Sequence, residues 1–432
     1  MNATLMQRTP ATTIAPDIAK RLVSPAAYEE WKHLEADFAQ LRKEMPFARA
    51  VVDGYDPFWV ATKYADVREI SLNPAIFRTN GYRSMLSSKA QLEFFDSPAA
   101  PKFRALVMMD PPEHSAARRL TFKEFAPNGV RALESDIRVI ANETIEELLS
   151  TGGRCDFVTA AALRYPLRVI LSLLGLPRSD EEFMLKLTQE LFNPQDPDLN
   201  ATGADVDVND AQAFDVSLLQ KFTAYFDAIT DDRRANPRDD VTSKIANGVI
   251  NGEPISYWDA MSQYIAIVTA GHDTTSSSTA GGVWALAERP DLYARIGKSA
   301  DLIMKLVDES VRWTSPIRSF MRTAVDDYEL RGQHIRKGDW IMLSYPSANR
   351  DEDIFDSPDE FSVDRPRNTT HVAFGYGPHI CLGQHLARLE MGIFFDELFK
   401  RVASIELDGQ PTRTRSAFVS SVKTLPLRFT TK

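Results

Sequence analysis

Cysteine is almost missing from this chain, which holds two, Cys155 and Cys381, among 432 residues. Two thiols cannot build a disulfide framework, and such sparse use suits a reducing compartment. Long apolar runs are missing too. VILSLLGLP comes nearest, and it falls short of the roughly 18 apolar residues of a membrane span. The opening residues MNATLMQRTPATTIAPDIAKRL contain no apolar core of a secretory signal. Positive charge is not in surplus either. The formal balance is −10, which argues against nucleic acid, whose phosphates require a basic face. Internal repeats and long low-complexity tracts are absent. These absences imply a cytoplasmic protein with neither membrane nor nucleic acid as partner.

At 44% hydrophobic and 25% charged residues, a large core is feasible and wholesale disorder is excluded. ARAVVDGYDPFWVATKYADV reads as a hairpin around an Asp-Gly turn. From about Asp110 to Phe320 the apolar spacing is mostly helical. YELRGQHIRKGDWIMLSYPSA then reads as short strands broken at Arg331-Gly332 and Lys337-Gly338. The expected fold class is mostly α with a small segregated β part, an α+β arrangement. Residues 78–101 and 193–210 are rich in turn formers and are expected as mobile surface loops, candidates for lids over a site.

Residues 256–290 are expected as one long helix, opened by the Ser256-x-x-Asp259 cap pattern and stopped by Pro290. Such a helix is roughly 50 Å long at 1.5 Å per residue. Its first half is apolar on nearly every side and so expected to be buried. Its middle, AGHDTTSSST, sets a glycine, an acid and a run of hydroxyls into that buried setting. One reading is a bent helix whose hydroxyls bond carbonyls one turn back. The other is a site where the small-residue gap at Gly271 admits a small polar molecule and an acid feeds it protons.

FGYGPHICLG, residues 374–383, surrounds Cys381 with three glycines. Leu382, Leu386, Leu389, Ile393 and Leu398 mark a helical face just beyond, so the cysteine sits near a helix N-terminus, where the dipole favours a thiolate. An inert buried cysteine does not explain the glycines. A nucleophile lacks a recognisable His/Asn pair, and zinc lacks further ligands. One thiolate bound to a metal whose other positions belong to a macrocycle fits best, and haem iron is such a metal.

At this point the sequence resembles the cytochrome P-450 family of haem–thiolate monooxygenases. Phe374-x-x-Gly377-x-x-x-Cys381-x-Gly383 matches its cysteine-loop signature at every fixed position. Ala270-Gly271-x-Asp273-Thr274-Thr275 matches the oxygen-binding groove of its long central I helix. Glu309-x-x-Arg312 matches its structural ion pair, with Arg365 as a third member. TAGHDTTSSS, VRWTSPIRSFMRTA and CLGQHLARLEM resemble the bacterial monoterpene hydroxylases of the alpha-terpineol-oxidising type.

The resemblance implies one haem domain over residues 1–432 with haem b (iron protoporphyrin IX) as cofactor and Cys381 as the iron ligand. It implies that His114, Arg118, Arg322 and His379, with Phe374 and Gly383 in the loop, hold the cofactor. Thr274 and Asp273 become the catalytic pair, the first hydrogen-bonding where oxygen is activated and the second relaying protons. Substrate contacts fall to Ala266, Thr269, Ala270, Ile317, Phe320 and Phe418. The implied reaction uses dioxygen to hydroxylate a small hydrophobic substrate, a monoterpene or alkyl-substituted aromatic. A larger steroid or fatty acid, or a non-catalytic haem protein that binds a gas, are the alternatives. Electrons are expected from a separate 2Fe-2S ferredoxin with its reductase, docking on a basic patch that includes Arg388 and Arg119. A monomer is expected.

Overall fold

The computed structural model describes residues 12–204, 206, 216–366 and 368–432. Its long helix, Tyr257–Ala287, runs without interruption. Helices Arg164–Leu174, Glu181–Phe192, Ala300–Thr314 and Gln384–Arg401 pack around it. Ser256 caps it by accepting the Asp259 amide at 3.1 Å, which satisfies one of the orphan N–H groups of the first turn. Pro290 does not simply stop this helix. It occupies the first turn of the next one, Pro290–Ile296, where its missing N–H costs nothing.

The β part is segregated, as the composition of the segments suggests. One five-stranded sheet has the order Phe47–Ala50, Phe58–Ala61, Trp340–Ser344, Ser319–Ala324, Phe77–Arg78. The first two strands are the expected antiparallel hairpin, and Trp340–Ser344 joins Phe58–Ala61 in parallel. A second sheet combines Val402–Leu407, Pro426–Thr431 and Arg154–Asp156. The hairpin Tyr328–Leu330/Gln333–Ile335 turns at Arg331 (φ 50°) and Gly332 (φ 71°). Two successive left-handed residues are what a tight hairpin turn demands.

Strand Ser319–Ala324 matters most for the site. Alternation sends Phe320 and Arg322 to one face, while Met321 joins the core cluster on the other.

The segment 78–101 differs from the expectation of a mobile loop. It contains helix Lys89–Phe95, closed by a full capping box between Ser88 and Gln91. Tyr82 stacks on Phe95 with ring centroids 4.0 Å apart and donates to the Pro101 carbonyl at 2.7 Å. The aromatics that looked exposed in sequence pack on one another, which orders the segment. In the other segment, Asp196 is fully buried. It accepts from Lys423 Nζ at 2.7 Å and from the Arg415 amide at 3.0 Å. A carboxylate tied to a neighbouring hairpin anchors residues 193–204; position 205 and residues 207–210 lie outside the described residues. Among the described residues, no helix is long and apolar enough to cross a membrane.

Candidate functional site

Three side chains fix the approach to the cysteine loop. Glu309 and Arg312 lie one turn apart on helix Ala300–Thr314 and pair through two bonds of 2.8 Å. Arg365 Nε reaches the same carboxylate at 3.1 and 3.2 Å. The guanidinium of Arg312 also donates to the carbonyls of Asn349, Pro358 and Glu360. Arg365 donates to those of Asp356, Ser357 and Glu360. One buried carboxylate thus organises two cations that staple an irregular segment to a helix. That segment leads directly into the loop, where Asn349 Oδ1 accepts the Val372 amide at 2.8 Å.

The loop itself is tight. The Cys381 amide donates to the Phe374 carbonyl at 2.7 Å, and Gly375 to Val372 at 2.9 Å. Gly377 (φ 69°) is obligatory in space as well as in backbone, because a Cβ there would lie 2.4 Å from the Ser71 carbonyl oxygen. Helix Gln384–Arg401 begins three residues after the cysteine. Burial pushes the Cys381 thiol up from its ordinary value. The amides of Gly383 and Gln384 and the charges of Arg118 and Arg388 oppose that rise. The helix end therefore favours the thiolate as expected, but in the protein alone desolvation outweighs it.

Beside the cysteine lies a pocket of positive and donor groups. His114 and Arg118 come from helix Glu113–Arg119, Arg322 from strand Ser319–Ala324, and His379 from the cysteine loop. The rings of His114 and His379 are 4.2 Å apart. His114 is buried, and neither of its ring nitrogens has a partner. Burial, with Arg118 and Arg322 adding to it, lowers its pKa to about 4. Burial followed by Arg322, His114 and Arg118 lowers that of His379 further still. Arg322 is buried, and its Nη1 donates to the Met321 carbonyl at 2.8 Å. Among the described residues neither Arg118 nor Arg322 has an ion-pair partner. Asp110 lies near, but its carboxylate takes the amides of Thr79 and Asn80. Two guanidinium groups without a carboxylate partner, beside imidazole donors in a desolvated pocket, favour an anionic ligand. Two carboxylates attached to a metal macrocycle fit this donor set, and the cysteine sulfur fits the metal.

Across the site, the long helix shows an open stripe in an otherwise buried stretch. Ala270 is exposed, and Ala266 and Thr274, one turn to either side, are half-buried. These three share one face at i, i+4, i+8. Thr269 does not share it. It is buried, and its hydroxyl donates to Ile265 at 2.6 Å, since one residue's rotation of 100° turns it into the packing. Thr274 donates to the Ala270 carbonyl at 2.8 Å, so its lone pairs remain free to accept. Asp273 is closed off as well. It is buried against His272, 3.7 Å from Nδ1, and its Oδ2 has no hydrogen-bond partner. Burial raises its pKa, with His272 opposing. The acid and the alcohol are adjacent in sequence, but packing buries the first and leaves the second half-buried.

Gly271 corrects the sequence reading. A Cβ at this position would meet Ile170 Cδ1 at 2.4 Å, so the gap is filled by a neighbouring helix. The room for a small molecule comes from Ala266 and Ala270 instead. Ile317, Phe320 and Phe418 are half-buried. Phe418 meets Phe320 edge-on at 5.7 Å and Phe192 at 6.1 Å. Phe192, like Tyr345 beside Phe320, was not singled out in the sequence. Both approach from remote segments, and no local spacing could have marked them. Of the two docking candidates, Arg119 is exposed, whereas Arg388 is engaged with Asp308 at 2.8 Å.

With this geometry in place, the comparisons with known proteins are direct. The family model described as Cytochrome P-450 matches residues 26–427. The protein named Cytochrome P-450-terp, from a Pseudomonas species, is 45% identical over 423 residues, 97% of this chain and 98% of its own. Steroid C26-monooxygenase from Rhodococcus jostii (strain RHA1) is 31% identical over 406 residues, 91% of this chain and 82% of its own. The crystal structure of CYP108D1 from Novosphingobium aromaticivorans matches with a TM-score of 0.88 at 39% identity, covering 98% of this chain and 100% of that one.

Proposed function

The chain belongs to the cytochrome P-450 family of haem monooxygenases, and on that premise we propose that it hydroxylates a small apolar substrate with Cys381 as the protein ligand to the iron of haem b. The observation that carries this reading is the cluster of His114, Arg118, Arg322 and His379 beside Cys381, the first and third buried and the other two half-buried, donors that lack carboxylate partners among the described residues. Haem, when bound, supplies the iron centre at which dioxygen is activated.

The chain's own residues do the rest. The amides of Gly383 and Gln384 orient the sulfur and offset part of its desolvation. The four basic side chains bind the carboxylates of the cofactor. Phe374 holds the Cys381 amide through its carbonyl. Thr274 presents hydroxyl lone pairs to the cavity. Asp273 takes up and releases a proton, and burial raises its pKa and so favours the neutral form. Rotation about its Cα–Cβ bond brings that proton toward Thr274, and its unpartnered Oδ2 leaves no hydrogen bond to break at that atom.

Ala266 and Ala270 leave room on the helix, and Phe320, Phe418 and Ile317 form an apolar wall that selects by shape. A monoterpene or alkyl-substituted aromatic suits such a wall, in keeping with the resemblance to Cytochrome P-450-terp. Electrons come from a 2Fe-2S ferredoxin and its reductase, docking near Arg119, on a monomeric single-domain protein spanning residues 1–432.

The test is a panel of monoterpenes, alkylbenzenes and steroids, scored by the change in haem spin state on binding. Small terpenes or alkylbenzenes should give the strongest response at the lowest concentration. A response confined to steroids would overturn the substrate assignment.

A further inference from the structure

Behind the cysteine loop lies a second charged group that the proposed chemistry does not use. His371 has a side chain 6% exposed, with Nε2 3.8 Å from Asp308 Oδ1. Its Nδ1 accepts the Ala373 amide at 3.2 Å, so the ring hydrogen resides on Nε2 and faces the carboxylate. Nε2 has no hydrogen-bond partner. The same Asp308 oxygen accepts from Arg388 Nε at 2.8 Å. The Arg388 guanidinium lies over the Phe374 ring, 4.5 Å from its centroid, and Nη1 donates to Gln384 Oε1 at 3.1 Å. Phe374 is the residue whose carbonyl holds the Cys381 amide. The charge of Arg388 also acts directly on the sulfur, favouring its ionised form.

Asp308 precedes Glu309 on helix Ala300–Thr314, so the ion group that staples the loop also fixes the position of Asp308. The pair is not sealed. Arg388 and Asp308 are 29% and 51% exposed, beside a cleft of about 390 Å³ that His371, Lys305 and Arg365 help to line. Arg312 is a further charge acting on His371. A cation stacked on the loop aromatic and paired with a carboxylate is more than a surface ion pair, because its charge acts on the sulfur.

We propose that Asp308 and Arg388 are positioning residues for Cys381: the carboxylate holds the guanidinium over Phe374 and offsets its charge at the sulfur, so the pair sets the electron-donor strength of the ligand. This rests on Cys381 being the iron ligand. Reduction adds negative charge to the iron site. A nearby cation favours that state and a nearby anion opposes it.

The test is the reduction potential of the haem-loaded, substrate-free protein and three variants, two that delete a charge and one that keeps it. Asp308→Asn keeps an acceptor for Arg388 but deletes the negative charge, and should raise the potential. Arg388→Gln should lower it. Each shift should approach ~59 mV, a tenfold change in a one-electron equilibrium. Arg388→Lys keeps the charge and should stay closer to the unaltered protein than Arg388→Gln. Opposite signs support the proposal, since a purely structural role would not split the two variants. Equal potentials, or shifts of the same sign, would overturn it. The carbon monoxide complex of the unaltered protein separates the premises: a thiolate-type band with unmoved potentials sinks the charge pair alone. An imidazole-type band there would overturn the ligand assignment and this proposal with it.

Discussion

The two walls of the site are built by opposite means. In the ion-pair staple behind the cysteine loop the charged groups satisfy one another and the backbone. Glu309, Arg312 and Arg365 share bonds with one another and with five carbonyls of the approaching segment. On the long-helix side an acid is buried with an unpartnered oxygen, and the stripe around Ala270 is open. One wall is held rigid, and the other keeps an unpartnered carboxyl oxygen and a space in reserve. A metal ligand requires fixed geometry, whereas proton delivery requires a group that can change partner and charge.

Breaking the rigid wall should cost the most. Glu309→Gln leaves the buried Arg312 and the half-buried Arg365 without their anion. Truncating one partner of a buried ion pair costs about 3–5 kcal/mol. Equilibrium denaturation should show that loss, together with weakened cofactor retention. Stability within about 0.5 kcal/mol of the unaltered protein would mean the triad is not what holds the loop.

The adaptable wall should respond in the reverse direction. The Asp273 pKa lies above its ordinary 3.8 in the folded protein. Between those two values the native state keeps a proton that the unfolded chain has lost. Stability therefore falls as pH rises through that window and stays lower above it. Asp273→Asn should remove this fall, worth up to about 1.4 kcal/mol per pH unit, and so make the protein more stable near neutrality while slowing turnover. Stability profiles of the two proteins that run parallel across the acid range would contradict the assignment.

Gly271→Ala tests the packing reading of the same helix. Overpacking against Ile170 should cost about 1–3 kcal/mol, and pairing it with Ile170→Ala should recover part of that loss. If the space served a ligand instead, the second change would bring no recovery.

Thr274→Ala should have the smallest effect on stability, within about 0.5 kcal/mol, yet a clear one on chemistry. Reductant should still be consumed, with a larger share of it ending as hydrogen peroxide. Unchanged coupling of reductant to product would remove Thr274 from the mechanism.

The same contrast explains what could be read in the sequence. Cys381 with its glycines, Glu309 with Arg312, and His114 with Arg118 are local patterns, each closed within a loop or one helical turn. The mostly helical class and the central helix were legible for the same reason, since periodicity is a local property. Partners brought together by the tertiary fold were not legible. Ile170 under Gly271, Phe192 against Phe418, and Asp308 beside Arg388 join segments far apart in the chain. Thr269 was expected to face the substrate from its family position, but it is buried with its hydroxyl bonded to Ile265. Helical rotation, not sequence adjacency, decides which side chains share a face. The segment 78–101 misled in another way, because its aromatics satisfy one another rather than face solvent.

The claim on which everything else depends is ligation through the sulfur of Cys381. Absorption of the reduced carbon monoxide complex tests it directly, comparing the unaltered protein with Cys381→His. The unaltered protein should show the red-shifted band of thiolate-bound haem, and the variant should lose it for an imidazole-type spectrum. The same imidazole-type band in both fully loaded proteins would contradict the account.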